Sequence, residues 1–457
     1  MAEKKMINIR LLVDKEKNKV VFAESDKDFV EILFSFLTLP IGTVVRLANN
    51  ETNLGIDALY KSVEALDMQC LQTEACKKML LRPRSEADHK NKSLALNYLG
   101  SADLLDYYIC PKWTCTSETH CLYSMFESAT CLCGQKMNRR FVLGKNITDD
   151  NRLNGTYIVN GSGKFMISDD LEVTRLSTDT TFQILSRFGI KDGSALEEIK
   201  VSVGTVEVLD LLKRSMLSKK PMTDVFLMKQ KGIHAKTIKT EKADKKIKSE
   251  SDNKPVNLNL LIQKSQNKVI YAVVEADFVD FLLSFLTFPL GSVVELLGEF
   301  SQGSICNLYE SIEKLSNIKP EIMRSTDNLL RPKIACQHGC KNQLLPIEEE
   351  KKAVTMCESC FYAGLGGNCI HGFYLRKAYL CLINPKVLAA VKETGGRFMK
   401  ESIVFMVTDE LIVEPFSQIS SISFLNKQCV PFNDLEERSV SVGKQEVSAH
   451  SYYTLIC

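Results

Sequence analysis

Hydrophobic and polar positions change period several times along the chain, and each change marks an element. Residues 11–13 and 20–23, on either side of the polar stretch Asp14 to Asn18, predict a β-hairpin with one apolar face. The period then lengthens to that of a helix. Phe29, Ile32, Leu33 and Phe36 fall on one stripe, Ser25 and Asp28 have capping-box spacing, and Pro40 stops the pattern. Leu59, Val63 and Leu66 predict another helix, and residues 165–167 and 171–173 flank Ser168, Asp169 and Asp170 as a second hairpin. Val206, Leu209, Leu212 and Met216 return to helical spacing ahead of Met222-Thr-Asp-Val-Phe226.

The same pattern is then written again. Asn8-Ile-Arg-Leu-Leu-Val recurs as Asn257-Leu-Asn-Leu-Leu-Ile, a shift of 249, and residues 8–66 hold 27 identities in 59 positions under that shift. Ser35-Phe-Leu-Thr matches Ser284-Phe-Leu-Thr, Pro40 matches Pro289, and Phe165-Met-Ile-Ser-Asp169 matches Phe405-Met-Val-Thr-Asp409 at a shift of 240. A fixed shift over most of a chain is the signature of duplicated structure. The helix stripe returns as Phe278, Phe281, Leu282 and Phe285, but Val274 stands where the first cap was, so that helix is expected to start less well.

The expected fold class is therefore α+β: two tandem homologous α+β units, mostly antiparallel, each with a zinc-ribbon-like cysteine-rich insertion. The first unit covers residues 7–228, with a knuckle at 110–133. Residues 229–255 are a linker, with nine lysines and four acidic residues over 229–254 and little to bury. The second unit covers 256–447, with a knuckle at 357–371, and 448–457 form an atypical tail. After Val440-Ser-Val-Gly443 the second unit shows nothing like the stripe from Val206 to Met216. It is expected to lack its closing helix and to expose an apolar groove or be less stable.

Several of these segments, among them Ser35-Phe-Leu-Thr-Leu-Pro-Ile-Gly42, Phe405-Met-Val-Thr-Asp-Glu-Leu, Ser420-Ser-Ile-Ser and Met222-Thr-Asp-Val-Phe, resemble a plant family of unknown function, the domain of unknown function numbered six-seven-four. The resemblance covers nearly the whole chain outside the linker and the last dozen residues. It implies a plant protein, commonly with tandem copies, and it supplies no activity, substrate or catalytic residue.

Composition narrows the chemistry. Charges nearly cancel, at +2 for 58 basic and 56 acidic residues, so no global field draws the molecule to nucleic acid or to an anionic membrane. No apolar run has the length of a bilayer span and the start lacks a secretory core, so a soluble, intracellular protein, cytoplasmic or nuclear, is expected. In a reducing compartment, 16 cysteines read as metal ligands where they cluster and as small buried hydrophobes where they stand alone, as Cys70, Cys76, Cys306, Cys381, Cys429 and Cys457 do.

Two clusters have ligand spacing. Cys110-Pro-Lys-Trp-Thr-Cys115 is followed by Cys131-Leu-Cys133-Gly134, and Cys357-Glu-Ser-Cys360 by Cys369-Ile-His371-Gly372. Aligned, they set His371 against Cys133, an exchange that tetrahedral zinc tolerates and a disulfide does not. The expectation is structural Zn2+ at Cys110, Cys115, Cys131 and Cys133, and again at Cys357, Cys360, Cys369 and His371, the second weakened by rival ligands in Cys336-Gln-His-Gly-Cys340. Catalytic residues are not found. His89, His234 and His450 sit in polar stretches, Asn160-Gly-Ser-Gly-Lys164 lacks the first glycine and the Ser or Thr of a phosphate loop, and Asp169-Asp170 and Asp409-Glu410 read as surface turns. These features favour a non-enzymatic interaction module with a protein partner. The rival readings are RNA or single-stranded DNA binding through the knuckles, Lys112, Trp113, Lys136, Arg139, Arg140 and the basic linker, or an enzyme site assembled from both units.

Overall fold

The computed structural model describes residues 6–49, 55–85, 106–112, 115, 122–141, 156–159, 163–228, 256–297, 303–318, 321, 323, 325–340, 343, 345–350, 354–356, 363–364, 378–387 and 396–443. The linker, the residues beyond 443, the quartet Cys357, Cys360, Cys369 and His371, and His89, Trp113, His120, Cys121, His234 and His450 lie outside them.

The chain begins with β1 (Ile7–Asp14) and β2 (Lys19–Ser25), the hairpin expected from its alternation, with Asn18 at φ 46° in the turn. Four helices follow: α1 (Lys27–Ser35), α2 (Ile41–Leu47), α3 (Gly55–Ala65) and α4 (Glu74–Leu81). Short strands β3 (Tyr107–Ile109), β4 (Leu122–Ser124) and β5 (Arg139–Phe141) lead to the hairpin β6 (Phe165–Ser168) and β7 (Val173–Arg175). Then come α5 (Thr178–Arg187), β8 (Leu196–Val203), α6 (Thr205–Leu217) and α7 (Pro221–Phe226).

The second half runs in parallel: β9 (Val256–Gln263), β10 (Lys268–Glu275), α8 (Ala276–Ser284), α9 (Leu290–Leu297), α10 (Ile305–Ile318) and α11 (Asp327–Leu330). It continues with β11 (Val354–Met356), β12 (Ala363–Gly364), β13 (Ala378–Leu382), β14 (Val404–Thr408), β15 (Val413–Pro415), α12 (Gln418–Lys427) and β16 (Leu435–Val442). Two five-stranded antiparallel sheets result, with orders β7-β6-β2-β1-β8 and β15-β14-β10-β9-β16. Their registers agree as well. Leu11 faces Ala23 as Leu260 faces Ala272, and each β-hairpin carries a bulge at one place, Val21 and Ile270. One face of the first sheet, with Ile9, Leu11 and Val13, enters the main core, while Val21, Phe22 and Met166 pack with α5 on the other.

The helices differ from expectation in two respects. Asp26, not Ser25, is the N-cap of α1 and makes no side-chain cap, and α8 starts on Glu275 in the same uncapped way, so the two helices begin equally well. The larger difference is where the helices pack. α3 lies against β15 of the second sheet, with Leu59, Tyr60 and Val63 in one core with Val274, Phe281 and Phe405. α10 lies against β7 of the first, with Leu308 and Ile312 among Phe29, Leu33 and Ile167. Each helix therefore completes the other half's core. Ser62 Oγ accepts the Val413 N–H at 2.9 Å and Ser311 Oγ accepts the Val173 N–H at 2.8 Å, the same bond made twice in opposite directions.

The exchange pivots on Pro40 and Pro289, which face each other as an antiparallel bridge. Ile41 N–H donates to Phe288 O and Leu290 N–H to Leu39 O, both at 2.9 Å. Helices α2 and α9 leave this point so close to foreign backbone that only glycine fits behind each proline. A Cβ on Gly42 would stand 2.9 Å from Leu286 O of the other half, and one on Gly291 3.1 Å from Leu37 O of the other half and 2.5 Å from Leu329 O of its own. Two buried carboxyls brace the arrangement. Glu31 accepts the Ile158 N–H at 3.1 Å, and Asp280 accepts those of Phe398 and Met399 at 2.9 and 2.8 Å. Those segments bridge to Met323 and Leu71, chain that follows α10 and α3 respectively. Burial pushes both carboxyls up to about 7.

The middles of the two halves, where the knuckles are expected, share a sheet. β3, β4 and β5 from the first half and β11, β12 and β13 from the second form one six-stranded sheet, ordered β12-β11-β13-β4-β3-β5 and antiparallel except where β13 meets β4. Asp169 also departs from a surface turn. It is 1% exposed and accepts the Thr223 N–H and hydroxyl at 2.7 and 2.9 Å, which holds α7 across the sheet. Asp409, its counterpart, is exposed, and among the described residues no helix follows β16.

Two outcomes are expected. Gly291→Ala should lower stability by about 1–3 kcal/mol through overpacking, read as a fall in the urea midpoint. Glu31 and Asp280 bind protons more tightly folded than unfolded, so their contribution is full below the unfolded carboxyl range and is lost as pH rises through about 7. The thermal midpoint should therefore fall between about pH 5 and pH 7.5, and Glu31→Gln should flatten that slope. An unchanged slope in the variant would remove Glu31 as its source.

Candidate metal centre

Cys110, Cys115, Cys131 and Cys133 meet in space, with all four Sγ atoms within 4.8 Å of one another. β3 runs directly into Cys110, and the chain turns back so that the Cys115 N–H donates to Lys112 O at 3.1 Å. The other pair sits at a hairpin tip. Met137 N–H donates to Ala129 O, Cys131 N–H to Gln135 O and Gly134 N–H to Cys131 O, at 2.8, 2.9 and 2.8 Å. Gly134 takes φ +82°, a conformation that the glycine after the second pair supplies without strain. Each cysteine pair is thus presented by a tight turn at one end of the six-stranded sheet.

Backbone N–H groups face three of the sulfurs: Lys112 toward Cys110, Cys133 toward Cys131 and Gln135 toward Cys133. Such donors favour thiolate over thiol. The Gln135 N–H on exposed Cys133 brings that thiol down to about 7, whereas burial pushes Cys110, Cys115 and Cys131 up. The Cys110 and Cys133 sulfurs are 3.6 Å apart, far beyond a disulfide and near the roughly 3.8 Å edge of a tetrahedron with 2.3 Å metal–sulfur bonds. Four soft donors so arranged could hold a metal ion. Ala129, Met137 and Ile383 pack around the buried cysteines, and Ile383 comes from the second half, its N–H donating to Tyr123 O at 2.9 Å.

The segment expected to rival the second quartet lies among the described residues. In Cys336-Gln-His-Gly-Cys340, the Cys336 thiol donates to Glu350 O at 2.7 Å, and burial pushes the Cys340 thiol up to about 12. His338 is fully buried, with Nδ1 3.0 Å from Cys336 O and Nε2 accepting the Arg84 N–H at 3.4 Å. A carbonyl can only accept and an amide N–H only donate, so the ring is neutral with its proton on Nδ1. Burial holds it down to about 3. Arg84, stacked over Tyr107 and Phe126, ties this segment to the start of β3. Sequence reasoning missed this rivet, because His338 reads only as part of a segment of rival metal ligands and Arg84 stands in no motif. Of the basic residues near the knuckle, Lys136 pairs with Glu74 at 2.8 Å and Arg140 with Asp106 at 2.5 Å. Of the lone cysteines, Cys70 and Cys76 are buried as expected, Cys306 is half-buried, and Cys429 is exposed.

A family model described as "Protein of unknown function (DUF674)" matches residues 3–445. The chain belongs to this family. No curated protein and no solved structure matches it. The family name carries no chemistry, so the four sulfurs remain the starting point for function.

In protein stripped of metal with a chelator, Cys133 should be the first of the four to be alkylated by iodoacetamide at pH 7, since it alone is both exposed and shifted toward thiolate. Peptide mapping by mass spectrometry checks the order.

Proposed function

We propose that this member of the family is a non-enzymatic interaction module of two tandem homologous α+β units, in which Cys110, Cys115, Cys131 and Cys133 hold a structural zinc ion. The observation that carries the reading is the closed set of four sulfurs within 4.8 Å, two of them buried, on two turns whose N–H groups face the thiolates. A full set of protein donors leaves no position for substrate, which is the structural type of zinc site. Zinc suits four thiolates at near-tetrahedral spacing without a redox requirement. Bound there, it would join the turn after β3 to the hairpin between β4 and β5, and so stiffen the half of the shared sheet that pairs with β13. Cys357, Cys360, Cys369 and His371, whose second pair repeats the spacing of Cys131 and Cys133, are proposed as a second zinc site. The interaction role draws support from exposed apolar side chains at equivalent places on the two outer helices, Phe182 on α5 and Ile422 on α12.

Metal analysis of full-length protein purified without added zinc tests this. Two zinc ions per chain are expected, one lost in Cys110→Ser and the other in Cys357→Ser. Loss of the first ion should also lower the thermal midpoint. Protein without zinc, or a Cys110→Ser variant that keeps its full content, would overturn the first site.

A further inference from the structure

The two sheets are equivalent in register to their last residue, since Val203 pairs with Ile7 as Val442 pairs with Val256. Their inner faces are not equally covered. On the first, α6 lays down Val208, Leu211, Leu212 and Ser215 at i, i+3, i+4 and i+7. α7 adds Thr223, whose hydroxyl accepts the Val20 N–H at 2.9 Å and donates to the Asp169 carboxylate. Beneath them Leu11, Val20, Leu171 and Val203 are all 0% exposed. On the second sheet the same positions, Leu260, Val269, Leu411 and Val442, are all half-buried, and Asp409 is exposed.

The first half thus records what this surface is shaped to receive. The chain's own continuation begins in the same way: Gly443-Lys-Gln-Glu446-Val447 aligns with Gly204-Thr-Val-Glu207-Val208, where Glu207 accepts the Gly204 N–H at 2.8 Å. It then diverges. His450 and Ser451 stand where α6 has Leu211 and Leu212, so the two side chains that fill the centre of the face are replaced by polar ones.

We propose that the inner face of the second sheet docks an amphipathic helix supplied by another polypeptide. Its chemistry is that of α6 and α7: aliphatic residues at i, i+3 and i+4 over Leu260, Leu411 and Val442, followed by a turn that brings a Ser or Thr hydroxyl to Asp409. The aliphatic stripe supplies affinity, and the buried hydroxyl on a carboxylate fixes direction and register.

The probe is already in the chain. A fluorescein-labelled peptide of residues 204–228, titrated into full-length protein and read by anisotropy, should bind saturably at one per chain. Leu211→Glu in the peptide and Val442→Glu in the protein should each weaken binding by about tenfold or more. Asp409→Ala, at an exposed position that does not threaten folding, should abolish the difference between the normal peptide and its Thr223→Val version. Absence of saturable binding up to about 1 mM would overturn the proposal. So would persistence of the Thr223 effect in Asp409→Ala. Binding that emerges only after residues 444–457 are trimmed would also overturn it, because the occupant would then be this chain's own continuation.

Discussion

The antiparallel contact between Pro40 and Pro289 is the constraint on which the rest depends. Proline lacks an N–H, so the pairing is made by the residues just after it, and these are the first residues of α2 and α9. The two bonds set the halves back to back at backbone distance, and the glycine after next in each half keeps side-chain volume out of the crossing. Beyond that point α3 and α10 pack into each other's cores, α3 against β15 and α10 against β7. Thr43 and Ser292 finish the crossing by donating to Pro83 O and Pro332 O, closing the short loops after α4 and α11. An apolar stripe that would satisfy an isolated unit is thereby turned into a joint between two.

This explains why polar groups are so deeply placed around it. Ser35, Thr38, Ser284 and Thr287 are buried, and each spends its hydroxyl on the preceding helical turn, to Ile32, Ser35, Phe281 and Ser284 carbonyls. The recurring Ser-Phe-Leu-Thr segment is therefore a helix ending, where α1 and α8 tighten before the proline. Glu31 and Asp280 sit one turn earlier and hold the opposing segments by their free N–H groups. Their burial costs charge solvation, which is why both carboxyls are held toward the neutral form near physiological pH.

The third sheet carries the same logic into the metal centre. Its strands come from both middles, and the first half's cysteine turns lie at the end where Ile383 and the parallel β13–β4 junction bring the second half in. A metal ion held there would act on a joint between halves. Arg84 and His338 rivet the start of β3, the end of that strand away from Cys110, with a neutral imidazole and a stacked guanidinium.

What the sequence determined by itself was local or repeated. The hairpins around Asn18 and Ser168, the stripe of α1, the segment that became α6, the shift of 249 and the pairing of Cys110 and Cys115 with Cys131 and Cys133 follow from residue type and short spacing, which a single chain displays directly. Tertiary structure decided which core each helix joins, because the stripe Leu59, Val63 and Leu66 is equally apolar toward either sheet. It also decided that Asp169 is a buried strut while Asp409 is exposed, since both stand in the same turn and only the helix carrying Thr223 distinguishes them. Periodicity reports that a face will be covered; only the path of the backbone through Pro40 and Pro289 settles by what.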